Sequence, residues 1–327
     1  MVIISCDWGS SSFRLRAWDC LGGRVLSERR SALGSSALLP PGTPAAARAA
    51  FFAARFEEEL SAFDPAGVWR DSPVVISGMA TSAHGWRELP YATAPLALDG
   101  AGLVTRRERL PGGREVILVS GLSDGQDVMR GEECELLGLA QWPGWGEALP
   151  GGRGTVILPG THCKHVQIEG GRVCRWRTCM TGELYGLLRQ HSVLRHSLPS
   201  DGASPPPPAG AAAQPDREAV REGARRGREH GLSAALFQIR AQALLHGLAP
   251  ATADAWLNGI LIAAEFTAGQ VAEGPLLLSA SPRSAWLYET VLDALGLAER
   301  LTVVPADCAD CLAAAGHAVL WRAGSTG

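Results

Sequence analysis

Lysine is almost absent from this 327-residue chain: among its 30 basic residues a single one, Lys164, is lysine and the others are arginine. Arginine suits flat, bidentate recognition, whereas lysine is a compact point charge that can follow a moving phosphoryl group. The lone ammonium therefore points to a function beside the Gly160-Thr161 turn next to it. Charge of one sign is also lacking; a net charge of −3 gives no reason to expect a nucleic-acid partner. No uninterrupted apolar segment approaches the roughly 20 residues that span a bilayer, which argues against a membrane partner. The N-terminus shows no basic region, long apolar run or small-residue cleavage site, which predicts a cytoplasmic protein without a secretory signal. Three common motifs are missing: the Gly-x-x-x-x-Gly-Lys-Ser/Thr P-loop, a strand-linked Gly-x-Gly-x-x-Gly, and the Gly-x-Ser-x-Gly nucleophile elbow. Eight cysteines in a chain with so large a core do not form a disulfide framework. Cys308 and Cys311 have redox-like spacing, but with Leu312, Ala315 and Val319 they share one helical face, which predicts core thiols. His162, Cys163 and His165 offer only three candidate metal ligands, with no partner pair at zinc spacing, which argues against zinc.

What is present is organised around Val2 to Arg16. An apolar run of strand type ends in Asp7; a turn of Gly9, Ser10, Ser11 and Ser12 follows, and alternation resumes through Phe13, Leu15 and Ala17. Such a turn leaves backbone N–H and hydroxyl groups pointing outward, where a phosphate can be held. Asp7 adds a hard oxygen ligand suited to magnesium. The layout returns in the second half. Thr155 to Leu158 is a strand, Pro159-Gly160-Thr161 a turn, and strands resume at His165 to Ile168 and, after Gly170-Gly171, at Arg172 to Trp176. Strand, small-residue turn, strand, Gly-Gly turn, strand thus occurs twice. The breaker-rich stretch 143–154 separates the copies and predicts lobes over 1–142 and 153–327.

Between these meanders, residues 44–63 read as a helix with Phe51, Phe52, Phe56 and Leu60 at helical spacings. Val74 to Met79 reads as a buried strand feeding a loop with Thr81, Ser82, His84 and Trp86, the way α/β folds present binding groups. Val116 to Ser120 is a second such strand, leading to Asp124, Asp127, Arg130, Glu132 and Glu133 and a helix over 132–140. Residues 199–215 read as a low-complexity loop and 216–230 as a basic, solvated helix. Helices over 232–247 and 254–272, a strand over 275–279, a helix over 284–297, a strand over 301–304 and a helix over 307–321 complete the expectation. Two glycine/hydroxyl turns on separate lobes, one with an aspartate and one with a lysine, suit a nucleotide triphosphate gripped for phosphoryl transfer.

Taken together the motifs carry a specific resemblance. Asp7-Trp8-Gly9-Ser10-Ser11 resembles the first phosphate motif of the actin-like ATPase superfamily. Val128 to Glu133, Pro159 to Lys164, Met180 to Leu184, Gly78-Met79 with Gly85-Trp86, and Leu257 to Glu265 resemble the 2-dehydro-3-deoxygalactonokinase family within it, in the same order. The resemblance implies a duplicated α/β, two-lobed, ribonuclease H-like fold. It also implies an ATP- and magnesium-dependent kinase that phosphorylates 2-dehydro-3-deoxy-D-galactonate at its terminal hydroxyl, in galactonate catabolism. By position, Asp7 would hold magnesium. Gly9, Ser10 and Ser11 would meet the β/γ-phosphates, Gly160, Thr161 and Lys164 would form the facing motif, and Ser279, Ala280 and Ser281 would form the adenosine loop.

Two departures stand out. Ala280 occupies a place where the superfamily usually has glycine, and Pro159 one where many relatives carry an aspartate, so the base cannot come from there. Sugar kinases of the superfamily commonly take the base from just before the second phosphate motif, which singles out Glu132, with Asp127 and Glu133 as alternatives. The substrate carboxylate calls for arginine, with Arg14 and Arg130 the candidates, and Ser82, His84 and Trp86 lie on the loop expected against the sugar. A kinase for another acidic or amino sugar, or a nucleotide-dependent regulatory ATPase, are the competing readings; a homodimer is left open.

Overall fold

The computed structural model describes the chain except residues 11, 36–37, 40–41, 200–213, 268–272 and 325–327. Ser11 and nearly all of the proline-rich stretch 199–215 thus lie outside the described residues. The chain divides into two compact units: Met1–Gly146 with Glu169–Arg175 and Asp310–Gly327, and Glu147–Ile168 with Trp176–Ala309.

In the first unit β1 (Val2–Trp8) and β2 (Phe13–Asp19) form the expected antiparallel hairpin, with Asp7 opposite Arg14. The Gly9 amide closes the turn on the Ser12 carbonyl at 2.9 Å. β3 (Arg24–Ser31) follows, then α1 (Ala45–Phe63) and β4 (Val74–Gly78). The short strands β5 (Ala92–Thr93) and β6 (Leu96–Ala97) precede β7 (Thr105–Arg109) and β8 (Glu115–Val119). β9 (Leu122–Ser123), β10 (Val128–Met129) and α2 (Glu132–Leu139) complete this stretch. The sheet order is β3-β2-β1-β4-β8-β7, with β1, β4 and β8 parallel. Trp8 is fully buried against Phe13, Phe52 and Phe56, and its indole N–H donates to the Leu33 carbonyl at 2.8 Å. These rings fill one face of the sheet and fix the strand end that carries Asp7.

A four-residue helix, α3 (Trp145–Ala148), lies in the breaker-rich connection. The second unit holds β11 (Gly154–Leu158), most of β12 (Cys163–Glu169) and half of β13 (Arg172–Cys179), then α4 (Thr181–His191), α5 (Gln214–His230), α6 (Leu232–His246) and α7 (Pro250–Ala264). β14 (Leu276–Leu278), α8 (Pro282–Ala294) and β15 (Leu301–Val303) follow. Its strands run β15-β14-β11-β12-β13, antiparallel at β11-β12 and parallel at β11-β14 and β14-β15. This is the connectivity of β8-β4-β1-β2-β3. The duplication expected over three strands therefore extends over five, and the fold is that of the actin-like ATPases and sugar kinases.

The last helix, α9 (Ala306–Gly324), belongs largely to the first unit, where Ala314 and Ala318 pack with Ile3, Trp18 and Cys20. Cys311 packs beside that cluster while Cys308 is half-exposed, and all eight cysteines are free. The expectation of a solvated helix over 216–230 needs correction. Val220 and Ala224 are buried, and a Cβ on Gly223 or Gly259 would come within 2.4 Å and 2.2 Å of a carbonyl of the facing helix. Glycine lets the α5 and α7 backbones touch, so a helix with few large apolar side chains still has a buried face. No described helix is long and apolar enough to cross a membrane.

Candidate active site

In the first unit the carboxyl ends of two adjacent parallel strands meet the start of α2, the usual ligand position in an open α/β sheet. Asp7, one residue before the end of β1, is in register with Ser77, next to Gly78 at the end of β4. Gly78 has φ +85°, and a Cβ there would sit 2.7 Å from the Trp8 carbonyl oxygen. Gly131, with φ +114°, comes close to Gly78, its hypothetical Cβ lying 3.6 Å from that residue's Cα. Two glycines thereby bring the motif 128–133 against the strand end.

The carboxylates of the motif divide sharply. Glu133 is fully buried, its Oε2 accepts the Gly131 amide at 2.7 Å, and burial followed by the charge of Glu132 pushes it up to about 8. Glu132 is half-buried and its Oε2 accepts the Arg130 amide at 2.9 Å. Asp127 is half-buried and accepts its neighbour's amide, that of Val128, at 2.7 Å. Asp7 is raised by burial and by Glu132, an effect opposed by Arg14 and Arg16. Glu135 was not among the expected site residues. Burial, then Asp7 and Glu132, raise it to about 8, so it belongs to the same acidic group. Only its position one helical turn after Glu132 could have suggested it. Hard carboxylate oxygens are the donors that a divalent cation of the magnesium type takes, although those of this acidic group are not gathered within 4.8 Å of one another.

The expected substrate residues are placed unequally. Arg130 Nη1 donates to the Thr81 carbonyl at 2.7 Å and to its hydroxyl at 2.8 Å, and its guanidinium lies 4.3 Å from the Tyr91 ring centre. Its Nε is buried without a hydrogen-bond partner, as is the Ser82 hydroxyl. His84 is exposed, whereas Trp86 is buried with its ring 5.8 Å from Phe56. Arg14 donates weakly to Asp310, at 3.4 Å.

In the second unit the exposed Gly160-Thr161 turn is braced by the start of α4. Glu183 donates its amide to the Thr161 carbonyl at 3.0 Å, and a Cβ on Gly182 would lie 2.5 Å from the Gly160 carbonyl oxygen. Lys164 is buried, with Nζ donating to the His162 carbonyl at 3.2 Å. Beside Pro159 and Gly160 opens a cavity of about 170 Å³ walled by Leu261, Leu287 and Tyr288, with Asn258 and Ser284 among its polar lining. Ser279 donates its amide to the Ile157 carbonyl at 3.0 Å, and Ser281 caps α8. The Ala280 side chain packs in the core of this unit, which accounts for alanine at a glycine position. A larger opening, about 840 Å³, lies in the first unit against Leu60, Asp64, Arg70 and Arg114 and holds none of the expected site residues.

Behind the turn lies a buried polar knot that no local sequence pattern announces. His165 Nε2 meets Glu265 Oε2 at 2.7 Å, the Cys163 thiol lies 3.2 Å from the same oxygen, and the Tyr288 hydroxyl lies 2.7 Å from Glu265 Oε1. Thr181 also donates to Glu265 Oε1.

Comparison with known proteins supplies relatives. The model of the family described as 2-keto-3-deoxy-galactonokinase matches residues 7–316. A protein of Rhizobium meliloti (strain 1021) assigned as a 2-dehydro-3-deoxygalactonokinase is 36% identical over 304 residues, 89% of each chain. The 2-dehydro-3-deoxygalactonokinase of Escherichia coli (strain K12) is 33% identical over 268 residues, 80% of this chain and 78% of its own. A crystal structure of a Sinorhizobium meliloti protein assigned to the same kinase class superposes with a TM-score of 0.74 at 33% identity, covering 98% of both chains. The activator of the 2-hydroxyisocaproyl-CoA dehydratase from Clostridium difficile, solved with ADPNP, shares the fold at a TM-score of 0.53 and 12% identity, covering 100% of this chain and 97% of its own.

Proposed function

The chain belongs to the 2-keto-3-deoxy-galactonokinase family, and from that premise we propose that it transfers the γ-phosphoryl group of ATP to the terminal hydroxyl of 2-dehydro-3-deoxy-D-galactonate. The products are ADP and the 6-phosphate, which an aldolase can split in galactonate breakdown in the cytoplasm. The observation that carries the reading is the convergence of Asp7, Gly131 and Glu132 at the ends of β1 and β4 in a chain whose family match runs over residues 7–316.

We assign each group a role in this reaction. Glu132 takes the proton of the attacking hydroxyl. It is the motif carboxylate that is neither fully buried, as Glu133 is, nor turned onto its own neighbour's amide, as Asp127 is. Asp7 would hold a magnesium ion, which when bound supplies positive charge to the triphosphate. Gly9, Ser10 and Ser11 offer donors to the β/γ-phosphates in the N-terminal lobe, 1–142; Gly160, Thr161 and Lys164 do so in the C-terminal lobe, 153–327. The adenosine end occupies the cavity beside Pro159, with Ser279, Ala280 and Ser281 as the adenosine loop. Arg14 and the unspent Nε of Arg130 bind the sugar-acid carboxylate, while Ser82 and His84 meet its hydroxyls and Trp86 backs the loop.

The test is product identification. The purified chain with ATP, magnesium chloride and 2-dehydro-3-deoxygalactonate should yield a phosphomonoester coupled to C6 in phosphorus NMR, and Asp7→Asn should abolish it while the fold persists. Phosphorylation of another acidic or amino sugar in its place would move the assignment to that sugar. Unchanged turnover in Asp7→Asn would remove Asp7 from the mechanism.

A further inference from the structure

Cys163 and His165 stand two apart on β12, so they face the same side of the strand, and Lys164 between them faces the other. Glu265 reaches them from the end of α7. Among the described residues these three form the one His/Cys/Asp/Glu group whose ligand atoms all lie within 4.8 Å of one another, and all three side chains are buried. We propose that Cys163 Sγ, His165 Nε2 and Glu265 Oε2 bind a zinc-class divalent cation, separate from the acidic group around Asp7.

The donor set argues for this. A thiolate, an imidazole and a carboxylate are the ligands of zinc and its borderline-soft neighbours, whereas magnesium prefers oxygen alone. Charge argues the same way: a divalent cation with one thiolate, one carboxylate and one neutral imidazole sums to zero, which suits a dry interior. On binding, Cys163 gives up its thiol proton to solvent, His165 takes the tautomer with its proton on Nδ1, and all three bonds to the metal come from ligand lone pairs, with no change of oxidation state. The supporting groups are already arranged. Glu265 Oε2 faces both Cys163, at 3.2 Å, and His165, at 2.7 Å, while its other oxygen is occupied by the Tyr288 hydroxyl at 2.7 Å and by Thr181. A ligating carboxylate held this way by its second oxygen is oriented before the ion arrives. The Tyr288 hydroxyl also lies 3.3 Å from Cys163 Sγ, bordering the remaining side of the site. Bound there, the ion would tie β12, the strand carrying Lys164, to α7. Two ligands come from alternate positions of one strand and the third from about 100 residues away, so no local spacing motif announces the site.

The test loads the full chain, stripped by a chelator, with zinc chloride alone, desalts it, and counts metal by mass spectrometry beside circular dichroism. The wild type should retain about one zinc per chain, and Cys163→Ser and His165→Asn roughly a tenth of that. Cobalt(II) in place of zinc should give a thiolate charge-transfer band on the wild type, read independently of whether any variant folds, and excess magnesium should not erase it. A folded wild type that retains no zinc and shows no such band overturns the proposal. So does a Cys163→Ser chain that keeps both the metal and the band.

Discussion

Arg130 grips Thr81 twice, at the carbonyl and at the hydroxyl, through a single guanidinium nitrogen. The bond joins the motif 128–133 to the loop after β4, and the Thr81 hydroxyl in turn donates to the Val119 carbonyl at 2.8 Å. Arg130→Lys keeps the charge and loses the planar fork. We expect a loss of about 1.5–3 kcal/mol in denaturant unfolding, as for a hydrogen bond to a charged group, and a fall in kcat/KM for the sugar acid. Wild-type values of both would show that the contact positions nothing.

Gly78 is the pivot on which this assembly turns. Alanine there meets both an unfavourable φ of +85° and a carbonyl oxygen 2.7 Å from its Cβ. The backbone alone costs about 1–3 kcal/mol, and the clash should push Asp7's strand end away from Gly131. Gly78→Ala should therefore melt earlier and lose more activity than Ala80→Gly two residues on; equal effects would contradict this.

His317 and Glu133 make stability depend on pH with opposite signs. His317 is fully buried, its Nδ1 is 2.8 Å from the Ser5 hydroxyl, and burial drops it to about 3. The unfolded chain then binds the extra proton, so stability falls as pH drops from about 6.5 toward 3. Glu133, held near 8, binds its proton in the folded state, so its contribution is full below about 4.5 and is lost as pH rises through 8. His317→Asn should flatten the acid limb of the urea-unfolding profile, and Glu133→Gln should raise stability at alkaline pH. A profile unmoved by either would refute the assignment.

Ala280 stands where glycine was expected, yet its methyl group is turned into the core. Ala280→Gly should leave the KM for ATP within about twofold and lower stability by roughly 1 kcal/mol, the value of one buried methyl group. A marked gain in nucleotide affinity would mean that the side chain faces the ligand.

Much of this was legible in the residues themselves. The Val2 to Asp19 hairpin, its echo from Gly154 to Cys179 and α1's phenylalanine spacing are local patterns, and local patterns fix local elements. β7 leaves no sign in the sequence because Thr105 to Arg109 is charged and lies at a sheet edge, with no apolar face to announce it. α5 gives no sequence sign of its buried face because that face is made by glycine, which periodicity does not register. Glu135 and Glu265 act through partners distant in the chain, Asp7 for one and Cys163 with His165 for the other. Only the fold brings such groups together.

The central claim is tested most directly by ADP release from the purified chain with ATP and magnesium, with and without 2-dehydro-3-deoxygalactonate. Turnover should depend on the sugar acid and disappear in Glu132→Gln with little change in melting temperature. ADP release at the same rate without the sugar acid would contradict the account.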